Sequence, residues 1–148
     1  MSRHFSYVDG KNISAWVKID DFWQANDDII VHLVDDTKLH YMWHLLPGFR
    51  TNGCSAPWAF QWFAPQWSDD NPMYNIAVAL HDAAYGTGFL HRDIADDMMR
   101  GILRDAGLSR FRASTMCWAV NNFAAEHYGS EHDTYDCKLF AKLNVYKE

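Results

Sequence analysis

Alternation of apolar and polar positions predicts strands in the first third of the chain. Residues 29–34 are rich in β-branched side chains, and residues 35–37 (DDT) are typical of a turn. From position 39 to position 45, every second residue is a Leu, Tyr or Trp. This pattern predicts a hairpin with one buried face inside a strand region spanning residues 12–46. Pro47 and Gly48 are expected to close it.

The second half of the chain predicts three main helices. The first helix is expected to begin at Pro72 and to end at Gly86. The second helix spans residues 92–106 and is stopped by Gly107. The third helix is capped by Ser109 and is expected to run to about residue 127.

Shorter segments complete the predicted fold. The loop at residues 51–57 leads into a short helix at residues 58–63, which Ser55 is placed to cap. The tail at residues 130–148 ends in apolar residues and is expected to dock as a helix or a strand. These elements predict an α+β fold in which a small N-terminal antiparallel hairpin or sheet packs against three main α-helices. A length of 148 residues without repeats or linkers predicts a single domain, residues 1–148.

Composition narrows the classes of function. The chain is 49% hydrophobic, which is too apolar for disorder, but its apolar runs are shorter than the roughly 20 residues that a membrane span needs. A formal net charge of −6 without a basic stripe argues against nucleic-acid binding. The three cysteines lack metal-type spacing, and no secretion signal is visible, so we expect reduced thiols in a cytosolic setting.

One predicted helix carries ionisable residues in an otherwise apolar run. His81 and Asp82 interrupt the sequence NIAVALHDAAY at residues 75–85. Burying such a pair is costly unless the fold supplies partners, a metal or an open pocket. Tyr85 follows one turn later, so all three side chains can lie on one side of the helix. This helix is therefore the first candidate for function.

The next helix offers a partner for His81. Among Asp93, Asp96 and Asp97, only Asp96 is expected to border the apolar face of that helix. A short connection makes the two helices antiparallel neighbours, which predicts a hydrogen bond between His81 and Asp96. The carboxylate would fix the imidazole tautomer, leaving one nitrogen to accept a proton and Asp82 to hold a divalent cation. A buried network that only joins the helices is the alternative.

Other candidates are weaker. His40 and His44 share a strand face but lie roughly 13 Å apart at about 3.3 Å per residue, so we interpret them as exposed polar-face residues. His91 is interpreted as a solvated residue at a helix start. Cys54 lies at a predicted helix entry, where the dipole favours a thiolate, so a cysteine peptidase using Cys54 and His81 is a further alternative.

Three motifs together resemble domain-of-unknown-function family 1353, whose members occur in bacteriophages and prophages. The motifs are PGFRTNGCSAP at residues 47–57, LHDAAY at residues 80–85 and RDIAD at residues 92–96. The resemblance covers about residues 40–128 and leaves both ends of the chain outside it. The candidate binding residues in these motifs, beside the His-Asp pair, are Thr51, Gly53, Cys54, Ser55 and Arg92.

Two positions depart from the family pattern. Asn52 stands where the family usually has Asp, and Cys54 stands where it usually has Ala. If the Asp is a metal ligand in relatives, a neutral amide would weaken a cation site, since hard cations prefer carboxylates. A cysteine outside the family pattern cannot be a family-wide nucleophile, which counts against the peptidase alternative.

A more distant likeness is to secreted phospholipase A2, whose helix carries H-D-x-x-Y. It implies that His81 is the general base, Asp82 the calcium carboxylate, Tyr85 a supporting hydroxyl and Asp96 the acid that orients the histidine. Residues 52–55 would be the calcium loop. The cysteines that precede the histidine in that family are missing, because residues 77–79 are AVA, and so is its full glycine-rich loop.

The leading hypothesis is a phage-encoded hydrolase. His81 and Asp96 would activate water near a divalent cation, calcium or zinc, held by Asp82 and Asn52, and cleave an ester or amide of the host envelope. The alternative is a non-enzymatic virion component, such as a tail or neck accessory protein. The expected partners are phage virion proteins or a host envelope component, without nucleic acid or a membrane span. The expected location is the host cytoplasm during infection, or the virion.

Overall fold

The computed structural model describes residues 2–54, 61–124 and 136–147. Seven strands form two antiparallel sheets. The larger sheet has the order β1-β4-β5-β7 and is formed by β1 (Phe5–Lys11), β4 (Ile29–Asp35), β5 (Leu39–Leu45) and β7 (Ala141–Lys147). The smaller sheet has the order β2-β3-β6 and is formed by β2 (Trp16–Ile19), β3 (Phe22–Ala25) and β6 (Arg50–Thr51).

In the described residues, three helices lie between β6 and β7 along the chain: α1 (Pro72–Thr87), α2 (Arg92–Asp105) and α3 (Arg110–Ala124). The Asn71 side chain caps α1 by accepting a hydrogen bond from the N–H of Tyr74, and proline occupies the first turn, where no backbone donor is lost. Gly88, at φ +71°, ends α1 in the left-handed conformation. A 3-10 turn (Cys137–Leu139) precedes β7.

The core lies between the larger sheet and the helices. Apart from the half-buried Leu39, the odd-numbered residues of β4 and β5 are buried on one face, as their alternating pattern predicts. Trp43 on β5 is fully buried and its indole N–H donates to the sulfur of Met98 on α2, at 3.3 Å. This contact fixes α2 against the sheet, and α1 packs beside α2.

The α+β prediction and the hairpin formed by β4 and β5 are confirmed. The tail was expected to dock as a helix or a strand. It forms the strand β7, which pairs with β5. α1 was expected to end at Gly86 but continues to Thr87, because Gly88 rather than Gly86 takes the left-handed conformation; Gly86 instead leaves room for Cys137, whose Sγ would lie 3.0 Å from an added Cβ. Residues 61–63 are a turn, and the rest of the short helix predicted at 58–63 falls outside the described residues, as does the predicted end of the third helix.

None of the helices in the described ranges has the length and hydropathy that a membrane span requires.

Candidate functional site

The predicted hydrogen bond between the first two helices is present. His81 on α1 and Asp96 on α2 lie 2.8 Å apart, measured from Nε2 to Oδ1, and both residues are buried. An ionised carboxylate can only accept hydrogen bonds, so Nε2 carries a proton, and in the neutral imidazole Nδ1 then holds the lone pair. Asp96 therefore selects one tautomer of the imidazole.

Tyr85 completes this network from one turn further along α1. Its hydroxyl donates to the same Oδ1 of Asp96 at 2.9 Å, and its ring centroid lies 4.1 Å from that of His81. Burial raises the pKa of Tyr85, and the neighbouring Asp96 raises it further. Tyr85 thus stays a hydroxyl donor across the physiological pH range.

The second nitrogen of His81 is free to accept a proton. Within the described part of the chain, the ring hydrogen-bonds only to Asp96, and Nδ1 has no partner. His81 is only 3% exposed. A buried imidazole nitrogen without a partner is unusual, because burying an unsatisfied polar atom costs free energy. Such atoms are accordingly found where a ligand or a proton is to be received.

Asp82 is held from the opposite side by the end of the smaller sheet. The hydroxyl of Thr51, the last residue of β6, donates to Asp82 Oδ2, and the backbone N–H of Asn52 donates to the same carboxylate. The residue keeps some accessible surface, although protein atoms surround its carboxyl group. Burial raises the pKa of Asp82 from 3.8 to about 6, which outweighs the lowering by Thr51, His81 and Asn52.

The loop that follows Thr51 is held in place by Gln66. Gly53 adopts φ +76°, and its N–H donates to the Thr51 hydroxyl at 3.0 Å. Gln66 donates to the carbonyl of Asn52 at 2.7 Å and accepts from the N–H of Cys54 at 2.9 Å. A Cβ at position 53 would lie 2.2 Å from the Gln66 carbonyl oxygen. Only glycine fits this loop.

Sequence reasoning did not find Gln66. Its contacts are made largely through the backbone of a neighbouring loop, and no spacing or composition signal marks such a residue. The structure does bring Thr51 and Asn52 to Asp82, the chain neighbour of His81. Ser55, the remaining member of the predicted loop set, lies outside the described residues.

One expectation about α2 is wrong. Asp96 was expected to be the only aspartate of this helix on a buried face, but Asp97 is buried as well. The N-terminal segment covers that flank of α2, where Asp97 accepts from the N–H of Arg3 at 2.8 Å and pairs with Arg100. Asp93 is exposed at the start of the helix, as expected. A helical wheel missed Asp97 because the covering segment comes from the other end of the chain.

Two other candidates lie near the network without joining it. Arg92 is exposed at the start of α2 and lies close enough to lower the pKa of Tyr85, but within the described residues it makes no hydrogen bond. Cys54 is buried, and its side chain interacts with Tyr74. Because His81 hydrogen-bonds only to Asp96 in the described residues, no observation favours the alternative of a peptidase using Cys54.

The strand histidines differ from expectation. His40 and His44 are half-buried rather than exposed. His40 lies 2.9 Å from His32 and stacks on Tyr146 of β7, whereas His44 lies 2.7 Å from Asp28. The added strand β7 covers this face, which the hairpin pattern alone could not reveal.

His91, the last of the candidate histidines, caps α2. The ring Nδ1 of His91 accepts from the N–H of Asp93 at the start of α2, and His91 is exposed. This agrees with its interpretation as a solvated residue at a helix start.

A divalent cation on Asp82 and Asn52 stays a prediction. Among the described residues, no group of three His, Cys, Asp or Glu side chains could hold a metal ion. The neighbouring loop presents hydrogen-bond donors to Asp82, and the Asn52 carbonyl already accepts from Gln66. A calcium site needs oxygen acceptors. The described residues alone therefore do not fit a calcium or zinc site.

The fold and the site define an α+β protein with a buried His-Asp-Tyr network between two helices. Residues 24–120 match the model of a family described as "Protein of unknown function (DUF1353)". The chain belongs to this family. The match runs from β3 into α3 and includes every residue of the network. No curated protein and no solved structure matches the chain.

Proposed function

We propose that this protein is a hydrolase in which His81 is the general base. The observation that carries the proposal is the orientation of the ring, with Nε2 bonded to Asp96 and Nδ1 without a partner in the described residues. This is the arrangement that a histidine needs to accept a proton from water or a hydroxyl group.

In this mechanism, Nδ1 of His81 takes a proton from a water molecule as its oxygen attacks an ester or amide carbonyl. Asp96 stabilises the resulting imidazolium through Nε2, and the imidazolium then returns the proton to the leaving group. Tyr85 is a positioning residue, because its hydroxyl holds the oxygen that orients His81. General acid–base catalysis of this kind contributes about 10²- to 10⁴-fold in rate.

The contacts of Asp82 suggest a positioning role as well. Its carboxylate ties the loop at Thr51 to α1 beside the proposed base. Asn52 contributes a backbone N–H, which does not depend on its side chain. The proposal therefore tolerates Asn at a position where the family pattern usually has Asp, and no step depends on a metal ion.

The H-D-x-x-Y likeness to phospholipase A2 supports an ester as the first bond to test. The phage setting implied by the sequence motifs would place that bond in the host envelope. Phage origin, envelope substrate and virion partners all remain proposals.

The test is a panel of chromogenic substrates incubated with the purified protein. The panel contains 4-nitrophenyl esters of increasing acyl length and 4-nitroanilide amides, each with and without calcium, zinc or a chelator. We expect wild-type turnover that falls about 100-fold or more in His81→Asn. Equal turnover in His81→Asn, or no turnover of any substrate by the wild type, would overturn the proposal. Loss of turnover in the presence of the chelator would indicate that the activity requires a bound cation.

A second candidate is a non-enzymatic structural protein of the virion. The observation that favours it is the burial of the network, with His81 only 3% exposed between two packed helices. In that case the network joins α1 to α2 and does nothing else. Variants of His81 would then lower stability and particle assembly together, without any hydrolytic activity to lose.

A further inference from the structure

The two edge strands of the larger sheet, β1 and β7, differ in whether other residues occupy their outer backbone groups. Along β1, carboxylates of α2 occupy backbone donors: Asp105 accepts from the N–H of Tyr7, and Asp97 accepts from the N–H of Arg3, both at 2.8 Å. The register of β1 also shifts between Tyr7 and Asp9. Covering and irregularity are two ways in which proteins keep an edge strand from pairing with another chain. The β1 edge is therefore protected.

The β7 edge has no such protection in the described part of the chain. All seven residues of β7 pair with β5 in one continuous register, from Ala141 opposite Leu45 to Lys147 opposite Leu39. Among the described residues, no side chain bonds to the outer edge of β7. A regular seven-residue edge of this kind can accept an additional strand.

An open groove of about 590 Å³ lies at this edge. It is lined by Phe89, Lys138, Ala141, Lys142, Leu143 and Val145. Leu143 pairs with buried Trp43 on the face that packs against the helices, whereas Lys142 lies on the opposite face. Because residues from both faces of β7 line the groove, the groove lies along the outer edge of this strand.

The groove combines apolar and basic chemistry. Phe89 is 45% exposed and Val145 is 42% exposed, so the groove presents apolar surface. Lys138 and Lys142 flank them, and none of the described residues that line the groove is acidic, in a chain whose net charge is −6. The nearest carboxylate along the chain, Asp136, caps the 3-10 turn by accepting from the backbone of Lys138.

We propose that the β7 edge binds an extended segment of a partner protein as a fifth strand, in which apolar residues alternate with carboxylates. The backbone of the segment pairs with β7. Its apolar side chains extend the helix-facing layer over Phe89 and Val145, and its carboxylates lie near Lys138 and Lys142. This surface is independent of the His81 site.

A second copy of this chain fits the same edge poorly. β7 carries two lysines and no acidic residue, so pairing two copies through β7 would place four lysines along one strand pair. Like charges on neighbouring strands are destabilising. Lys142, one of the two lysines of β7, also lines the groove, where it favours an acidic segment.

The experiment uses two fluorescein-labelled octapeptides, one with alternating valine and glutamate and one with lysine in place of glutamate. Fluorescence anisotropy measures their binding to the full chain. We expect binding of the glutamate peptide only, and an affinity lowered about tenfold or more in Lys138→Glu/Lys142→Glu. The matched control is Lys11→Glu/Lys18→Glu, which makes the same charge change on β1 and β2 and should leave the affinity unchanged. Hydrogen exchange should slow in the amides of β7 when the peptide is bound.

Three results of the peptide-binding assay would overturn the proposal. They are failure of the glutamate peptide to bind at about 1 mM, equal binding by the lysine peptide, and unchanged affinity in the Lys138→Glu/Lys142→Glu variant. A wild-type dimer with protected β7 amides would overturn it in favour of self-association. Far-ultraviolet circular dichroism of each variant confirms that these exposed substitutions leave the fold intact.

Discussion

His81 and Tyr85, one helical turn apart on α1, hydrogen-bond to the same carboxylate oxygen of Asp96 on α2. Two donors on one oxygen fix both the position of the carboxylate and the tilt of the imidazole. The ring of Tyr85 packs against that of His81, so the histidine has little freedom to rotate. Asp96 and Tyr85 hold the ring on one side, whereas Nδ1 has no hydrogen-bond partner among the described residues.

Tyr85→Phe should destabilise the protein more than Tyr74→Phe. Both changes remove one hydroxyl, but that of Tyr85 donates to a carboxylate, whereas that of Tyr74 donates to the backbone carbonyl of Pro65. We expect a loss of about 1.5–3 kcal/mol for Tyr85→Phe and about 1 kcal/mol for Tyr74→Phe in urea unfolding. Equal losses would mean that Asp96 is not a charged acceptor.

Asp82 should make stability fall as the pH rises. Its pKa is raised from 3.8 to about 6 in the folded state, because burial costs free energy for the ionised carboxylate but not for the protonated carboxyl group. The stability of the wild type relative to Asp82→Asn should therefore decrease by up to about 2 kcal/mol between about pH 4 and pH 7. Urea unfolding across this range measures the difference. A difference that is flat, or that grows with pH, contradicts the raised pKa.

Thr51→Val should have two effects that Thr51→Ser lacks. Valine has the shape of threonine but cannot donate to Asp82 or accept from the N–H of Gly53. We expect a loss of about 1–3 kcal/mol, because buried polar groups lose their partner. The pH transition of Asp82 should also move upward, since the Thr51 hydroxyl lowers its pKa. Thr51→Ser keeps the hydroxyl, and a similar shift in Thr51→Ser would contradict this assignment.

Gly53→Ala should be far more damaging than Gly107→Ala. Both glycines have positive φ, +76° and +99°, so both changes share the backbone strain of about 1–2 kcal/mol. An added Cβ at position 107 meets nothing within 4 Å, whereas at position 53 it would lie 2.2 Å from the carbonyl oxygen of Gln66. Thermal unfolding of the two variants separates the clash from the strain. Equal melting temperatures would show that the loop does not pack as described.

Local patterns were sufficient to predict the main elements. The alternation in β4 and β5, the proline that opens α1, and the apolar face of α2 are set by residues close in sequence. The same reasoning brought Asp96 to His81, because a short connection leaves two helices few ways to pack. These predictions needed no knowledge of distant contacts.

Contacts between distant parts of the chain were not predictable in this way. The burial of Asp97 depends on Arg3, and the half-burial of His40 depends on Tyr146. Gln66 holds the loop at Gly53 through backbone atoms that leave no trace in the residue pattern. In each case a contact from outside the local element sets the environment of the residue, so the local pattern alone led to a different expectation or to none.

The central claim is best tested by comparing Asp96→Asn with Asp97→Asn in the hydrolysis assay. The two aspartates are neighbours on α2, both are buried, and each loses one charge and keeps its shape. Asp96 orients His81, whereas Asp97 binds Arg3 and Arg100. The account predicts that turnover of the best ester falls about 100-fold or more in Asp96→Asn and stays near the wild-type value in folded Asp97→Asn. Equal turnover in the two variants would contradict it.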